Sequence, residues 1–165
     1  GLSVPVGFKN STSGSVMAAI NAIHSSAEPK SFMGISQDGK VSVIHTKGNK
    51  NCCLVLRGGT RPNYKREDVQ KVVEQLDIES MDTAIIIDAS HGNSGKDWEQ
   101  QMSVIDYLTK VRHPSVRGIM CESFIRDGSQ SLLQKPLQYG ISVTDSCIGI
   151  DKTIQLMTPL NKSVK

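Results

Sequence analysis

The chain has 165 residues, enough for one domain with a sizeable core, and its formal net charge at pH 7 is +3. Aromatic residues make up only 4% of it and its lysines and arginines do not cluster densely, so a nucleic-acid surface is not expected. No apolar stretch approaches the ~20 residues of a membrane-spanning helix, and the mild positive charge suits an anionic small molecule.

The cysteines favour a reducing compartment. Cys52, Cys53, Cys121 and Cys147 form no CxxC pair and no zinc-finger spacing, so neither a zinc module nor a disulfide framework is predicted. The first residues also lack the basic and long apolar regions of a secretory signal. A cytoplasmic location is therefore expected.

The first predicted elements alternate between strand and helix. Residues 5–8 read as a short strand, and the segment VMAAINAIH after them has apolar residues at helical spacing. Two β-type runs, 32–35 and 41–45, flank an Asp-Gly pair, which is a strong β-hairpin signal. A buried strand at 52–56 then precedes the amphipathic helix YKREDVQKVVEQL.

The same alternation continues to the end of the chain. Residues 83–87 form a third apolar strand, 98–111 the next helix, and 116–121 the fourth strand. A long polar segment separates this strand from a final helix near 152–160. Four strand–helix repeats predict an α/β fold with a parallel sheet, right-handed crossovers and helices packed over it, in a single domain.

Each long apolar strand stops at a polar residue that could take part in chemistry. These residues are Lys9 after VPVGF, Arg57 after CCLVL, His91 after AIIIDAS and Glu122 after VRGIMC. In parallel α/β folds, ligands collect at the carboxyl ends of the strands, where several loops meet. The strand ends are therefore the predicted functional edge.

Lys9 and Arg57 allow two interpretations. Each could be a structural ion-pair donor. Arg57, however, precedes Gly58 and Gly59, and a planar guanidinium beside a flexible turn suits bidentate capture of phosphate or carboxylate. Two cations at neighbouring strand ends favour an anion pocket.

His91 alone is as consistent with a structural histidine, bonded to Asp88 or Ser90, as with a metal ligand or a catalytic group. Glu122 and Asp145 change this balance, because both lie in apolar surroundings and buried carboxylates require a partner. A divalent cation would satisfy both together with His91, and the mixed nitrogen and oxygen set suits Mn, Fe, Co or Zn. Pairing of the two carboxylates with Lys or Arg is the alternative.

Five ordered segments carry a resemblance to a known family: PVGFKNST, LRGGTRPNY, IIDASHGNSGKDWEQQ, GIMCESFIRDGSQSL and YGISVTDSCIG. From about Gly1 to Asp151 the chain resembles the class I 3-deoxy-D-arabino-heptulosonate 7-phosphate (DAHP) synthases, also called 3-deoxy-7-phosphoheptulonate synthases, of the shikimate pathway. KDO 8-phosphate synthases share that fold, but LRGG with PNY and SHGNS favours the DAHP enzymes.

The resemblance implies a fold and a reaction. The fold is a TIM (β/α)8 barrel, of which this chain would be the C-terminal half: four βα units carrying strands 5 to 8, with an inserted β-hairpin. The reaction condenses phosphoenolpyruvate with erythrose 4-phosphate, releases phosphate and uses a divalent metal ion. By matching positions, Lys9 and Arg57 bind phosphoenolpyruvate, and His91, Glu122 and Asp145 are metal ligands.

The resemblance also implies that something is missing. The first four strands, with a metal-binding cysteine and further phosphoenolpyruvate contacts, have no counterpart here, and Cys121 and Cys147 are expected to be core residues rather than substitutes. An open half-barrel exposes two sheet edges, so a missing N-terminal half or a second copy in a homo-oligomer is expected as partner. Little turnover is expected from the chain alone; the alternative is a catalytically dead fragment or assembly module.

The predicted hairpin has a possible regulatory meaning. In regulated members of the family an extra hairpin before the sixth strand helps form the site for an inhibiting aromatic amino acid, and residues 32–50 resemble it in placement. A simple decoration of the barrel is the alternative.

Overall fold

The computed structural model describes Leu2 and residues 4–161. Within these ranges strands and helices alternate along most of the chain. In chain order the elements are β1 (Val6–Lys9), α1 (Met17–Ala27), β2 (Lys30–Ile35), β3 (Val41–Thr46), β4 (Cys52–Leu56), α2 (Arg66–Ile78), β5 (Ala84–Asp88), α3 (His91–Ser94), α4 (Trp98–Lys110), β6 (Val116–Met120), β7 (Ser123–Phe124), β8 (Ile148–Gly149) and α5 (Ile150–Asn161).

A parallel sheet in the order β1-β4-β5-β6 forms the centre of the protein. Phe8 of β1 lies beside Leu54 of β4, which in turn lies beside Ile85 of β5. Every residue of β4 is buried, because a central strand covered on both faces leaves no side chain in water. The α/β class with a parallel sheet, predicted from the alternation of elements, is confirmed.

Three helices pack on this sheet through apolar stripes. The buried residues of the stripes are Ala19, Ile20 and Ile23 in α1, Val69, Val72 and Leu76 in α2, and Val104, Ile105 and Leu108 in α4. Their spacing puts them on one face of each helix, and they join residues of β4 and β5 in one core. Burying a Leu or Ile contributes about 1.5–3 kcal/mol, so packing stabilises these short helices more than helix propensity does.

The element boundaries differ slightly from the sequence-based expectations. Helix α4 begins where predicted, because the Asp97 side chain caps it by accepting hydrogen bonds from the backbone N–H groups of Glu99 and Gln100. Helix α5 begins at Ile150, directly after β8. The one-turn helix α3 and the short pair β7–β8 were not predicted, because elements of two to four residues have no hydrophobic period to detect.

Strands β2 and β3 pair antiparallel outside the parallel sheet, joined by a turn in which Gly39 has φ +75°. Both strands extend beyond the predicted runs. One face of the pair carries four exposed apolar side chains, those of Met33, Ile35, Val41 and Val43.

The parallel sheet ends in two open edges. Among the described residues β1 pairs only with β4, and β6 pairs only with β5.

No helix in the described part of the chain combines the length and the apolar character needed to cross a membrane.

Candidate active site

The residues predicted to carry function gather at the carboxyl edge of the parallel sheet. Lys9 is the last residue of β1, and Arg57 directly follows β4. His91 begins α3, just after β5, and Glu122 follows β6. Asp145 joins them from the loop that precedes β8.

Glycine backbones hold the loops after β4 and β5 in direct contact. Gly58 has φ +72°, and a Cβ on it would collide with the backbone of Gly92. The Gly92 N–H also donates to the carbonyl oxygen of Arg57 at 3.0 Å. Side chains at these two glycines would separate the loops, so the glycines keep Arg57 close to His91.

Three asparagines, which the sequence analysis missed, tie the same loops together. Asn10 is buried; its Oδ1 accepts from the Arg57 backbone N–H at 2.8 Å and its Nδ2 donates to the Gly58 carbonyl at 2.8 Å. Asn93 donates from Nδ2 to the Asp88 carbonyl at 2.8 Å, and its Oδ1 accepts from the Asn63 N–H at 2.8 Å. An asparagine shortly after each strand, in GFKN, RPNY and HGN, was the available signal.

Asp88 connects the anion-binding and metal-binding candidates. This carboxylate is 1% exposed, and its Oδ2 accepts a hydrogen bond from Lys9 Nζ at 2.7 Å. The same oxygen lies 2.9 Å from His91 Nδ1, although the alignment at this ring nitrogen falls outside hydrogen-bond geometry. Its Oδ1 accepts from the Ser90 N–H at 2.9 Å. Lys9 thus has the ion-pair partner that was considered for it, and the same buried carboxylate lies beside His91 without a hydrogen bond to it.

His91 has a backbone conformation that non-glycine residues rarely adopt. Its φ is +49°, in the left-handed region. The Lys96 N–H donates to the His91 carbonyl at 3.0 Å, and the contact between Gly58 and Gly92 fixes the next residue. Strained residues of this kind concentrate at functional sites.

His91, Glu122 and Asp145 form a compact group, here named the His-Glu-Asp cluster. His91 Nε2 lies 3.5 Å from Glu122 Oε1 and 3.6 Å from Asp145 Oδ2, and one ligand atom from each residue lies within 4.8 Å of the others. Donor atoms bound to one ion at about 2.1 Å are themselves about 3 to 4 Å apart. The separations and the mixed nitrogen and oxygen donors therefore fit a divalent transition-metal ion.

Positive charge surrounds the Asp145 side of the cluster. Lys96 Nζ donates to Asp145 Oδ1 at 3.0 Å, and this hydrogen bond holds the pKa of Asp145 below its usual value. Burial is the next largest influence and raises the pKa, while the charge of Lys96 and, after it, those of His91 and Arg57 lower it. Asp145 thus has the Lys partner that the sequence analysis gave as the alternative, while Glu122 approaches His91.

The cysteines stay outside the cluster. Burial, and after it the negative charge of Asp88, raises the pKa of Cys121. Burial also raises the pKa of Cys147. A raised pKa keeps the neutral thiol, which is a poor metal ligand. Cys121 packs against the core, in line with the role expected for it.

A parallel α/β sheet with charged and polar side chains gathered at the carboxyl ends of its strands defines the class of α/β proteins whose ligand sites lie at that edge. Within that class, the chain belongs to the DAHP synthetase I family, which matches residues 1–158. The family resemblance found in the sequence is therefore confirmed.

Individual relatives agree with this family. The chain is 40% identical to the Tyr-sensitive phospho-2-dehydro-3-deoxyheptonate aldolase of Salmonella typhimurium, over 99% of this chain and 48% of that protein. The Phe-sensitive aldolase of Escherichia coli is also 40% identical, over 100% of this chain and 48% of that protein. The solved structure of the Francisella tularensis aldolase has a TM-score of 0.90 at 37% identity, covering 99% of this chain and 49% of that one. The chain thus spans about half the length of these relatives.

Proposed function

We propose that this chain carries half of the active site of a DAHP synthase, an enzyme that condenses phosphoenolpyruvate with D-erythrose 4-phosphate to DAHP and phosphate in aromatic amino acid biosynthesis. One observation carries the proposal: the His-Glu-Asp cluster lies at the same sheet edge as Lys9 and Arg57, in a chain of the DAHP synthetase I family.

In this proposal Lys9 and Arg57 bind phosphoenolpyruvate. The Lys9 ammonium has three donors and gives one to Asp88, which leaves two for the substrate. Arg57 offers a planar fork for a carboxylate or phosphate. Together they fix the substrate in one orientation and offset the negative charge that accumulates as phosphate leaves.

The reaction joins C3 of phosphoenolpyruvate to the aldehyde carbon of erythrose 4-phosphate. A water oxygen bonds to C2, and one water proton passes to the former aldehyde oxygen, which becomes a hydroxyl group. The bond between C2 and the phosphate oxygen then breaks; phosphate departs with the electrons of that bond and with the proton of the new C2 hydroxyl, and C2 becomes the ketone carbon. His91, Glu122 and Asp145 would hold a divalent ion of the Mn, Fe, Co or Zn class, which when bound polarises the aldehyde oxygen.

We also infer that residues 1–165 form one unit, strands 5 to 8 of a TIM (β/α)8 barrel, with β2–β3 as an inserted hairpin. The open edges of β1 and β6, seen among the described residues, support this inference, because a barrel strand needs a neighbour on each side. The other four strands would come from an N-terminal part of a longer protein or from a second copy. The half-length match to the relatives favours the first source.

Regulation by an aromatic amino acid is part of the proposal. Relatives are named Tyr-sensitive and Phe-sensitive, and the β2–β3 pair has exposed apolar side chains on which such a ligand could rest. We expect inhibition of the complete enzyme by Phe, Tyr or Trp; unchanged rates with all three would contradict this part.

The free thiols of the chain agree with a cytoplasmic location.

The function is tested by an assay with phosphoenolpyruvate, erythrose 4-phosphate and Mn²⁺. The protein that contains this chain at full length should release phosphate and form DAHP, whereas the chain alone should show little or no turnover. Mn²⁺ binding without any consumption of phosphoenolpyruvate by the full-length protein would instead support a catalytically dead binding module.

A further inference from the structure

Gln101 is a polar residue on the apolar face of a helix. It lies three and four residues before Val104 and Ile105, which are core residues of α4, and it is 0% exposed. A side-chain amide in such surroundings is costly unless both its ends are hydrogen-bonded. Its partners therefore identify what this glutamine does.

Both partners belong to the backbone of one residue, Glu122. Gln101 Oε1 accepts a hydrogen bond from the Glu122 N–H at 2.6 Å, and Gln101 Nε2 donates to the Glu122 carbonyl oxygen at 3.3 Å. The same carbonyl accepts a second hydrogen bond from the Ile148 N–H at 2.9 Å. A single side chain from α4 thus engages both backbone groups of a residue 21 positions away.

These hydrogen bonds lie where the parallel sheet stops. At the carboxyl end of the β5–β6 pair, the N–H of Ala89, which directly follows β5, donates to the carbonyl of Met120, the last residue of β6, at 2.8 Å. Glu122 comes two residues later, beyond this ladder. Gln101 therefore supplies the acceptor for the Glu122 N–H and adds a second donor to a carbonyl that already accepts from the Ile148 N–H of β8.

The backbone of Glu122 matters because its carboxylate lies in the His-Glu-Asp cluster, with Oε1 3.5 Å from His91 Nε2. We propose that Gln101 is a positioning residue that fixes the backbone of Glu122 and so directs its carboxylate toward His91 and a bound metal ion. This inference rests on the proposed metal site. Both side-chain hydrogen bonds of Gln101 go to the Glu122 backbone, so Gln101 acts through that residue.

The test compares two identical substitutions on adjacent residues in the full-length protein that contains this chain. Gln101→Met keeps the length of the side chain but removes both hydrogen bonds, whereas Gln100→Met changes an exposed neighbour. Mn²⁺ affinity is measured by calorimetric titration, and the Co²⁺-loaded proteins are compared by visible absorption. We expect Gln101→Met to weaken Mn²⁺ binding about tenfold and alter the Co²⁺ spectrum, as loss of a partner behind a metal ligand typically does. Gln100→Met should change neither.

Two further variants separate positioning from stability. Leu108→Ala removes a buried side chain from the same helix, and it should lower the unfolding temperature without changing Mn²⁺ affinity. Gln101→Glu keeps an acceptor for the Glu122 N–H and replaces the amide donor with a carboxyl group, so it should retain more Mn²⁺ affinity than Gln101→Met. If Gln101→Met does not fold, the Mn²⁺ affinity of Gln101→Glu tests the positioning role.

The outcomes distinguish this inference from the proposed function. Equal Mn²⁺ affinity and equal Co²⁺ spectra for the folded Gln101 variants and the wild type would overturn the positioning role. Affinity lost equally in Leu108→Ala would overturn it as well. A wild-type protein that binds Mn²⁺ but forms no DAHP would refute the proposed function and leave the positioning role standing.

Discussion

The two sides of the candidate site are built differently. The first side, Lys9, Asp88 and His91, lies at or just beyond the ends of β1 and β5, around a carboxylate that is 1% exposed. The second side, Glu122 and Asp145, lies on loops, and its side chains are 28% and 32% exposed. The sheet ladder positions the first side, whereas side-chain hydrogen bonds from Gln101 and Lys96 hold the second.

A parallel sheet alone therefore does not complete such a site. Hydrogen bonds between paired strands fix the backbone position of each residue in the sheet. The backbone of a residue beyond the paired strands must be held by other hydrogen bonds. The second side should therefore tolerate loop variation less well than its exposure suggests.

The largest effect is expected where the two sides meet, at His91. His91→Ala removes the nitrogen donor of the His-Glu-Asp cluster, so in the full-length protein Mn²⁺ binding and Mn²⁺-dependent DAHP formation should both be lost. Calorimetric titration and a phosphate-release assay measure these two quantities. His24→Ala, on α1, is the matched control and should leave both unchanged. Wild-type rates in His91→Ala would refute the metal role of His91.

The contact between the glycine loops supports the first side. Gly58→Ala places a Cβ against the Gly92 backbone at φ +72°, so we expect a loss of about 2 to 4 kcal/mol in the free energy of unfolding. Gly39 has a similar φ of +75° but open space around it. Gly39→Ala should therefore lower the free energy of unfolding only by the backbone strain of a left-handed alanine, about 1 kcal/mol. Urea unfolding measures both. Equal losses would show that the loops can separate at little cost.

Asp88→Asn tests whether one carboxylate supports both Lys9 and His91 on the first side. The amide keeps the shape of the carboxylate but loses the charge that pairs with Lys9. Its NH₂ group donates and does not accept, so either Lys9 Nζ or the Ser90 N–H loses the oxygen that faces it. We expect metal affinity and the affinity for phosphoenolpyruvate each to fall by about 10- to 100-fold. Asp106→Asn, in an exposed pair with Lys110, is the control. An effect on metal affinity alone would mean that Asp88 does not act through Lys9.

The smallest effect is expected at the Lys152–Asp127 ion pair, which lies beside the loop of the second side. Lys152 Nζ donates to Asp127 Oδ2 at 2.7 Å, and this hydrogen bond lowers the pKa of Asp127. Gly128 next to it exchanges backbone hydrogen bonds with Cys147, on the loop that carries Asp145. Because both charged side chains are about one-third exposed, the pair is worth less than about 1 kcal/mol.

The lowered pKa of Asp127 determines how the contribution of the Lys152–Asp127 pair to stability depends on pH. A carboxyl group with a depressed folded-state pKa stabilises the fold above its unfolded pKa and loses this contribution as the pH falls through the folded value. The difference in unfolding free energy between wild type and Lys152→Met should thus be largest near neutral pH and shrink in acid. Lys152→Arg should behave like the wild type. A difference that persists unchanged in acid would assign the effect to the contact of Lys152 with the Trp98 ring, 4.0 Å away, instead.

Parts of the fold and the site could be predicted from the sequence. The apolar runs and helical periods were sufficient for the α/β class and for most elements, because burial on both faces of a strand requires consecutive apolar residues. The candidate residues Lys9, Arg57, His91 and Glu122 could be named because each directly follows such a run. The short elements α3, β7 and β8 could not, because their backbone is fixed by contacts with distant residues.

Local sequence patterns were enough to find the buried strands, the polar residues that follow them and the family of the chain. How those residues meet follows only from the folded structure. That Asp88 pairs with Lys9, that Gly58 and Gly92 touch, and that Gln101 engages Glu122 all depend on pairs far apart in the chain. No local pattern encodes such pairs, because hydrogen bonds and close packing are set by distances in space, and these arise only when the helices close over the sheet.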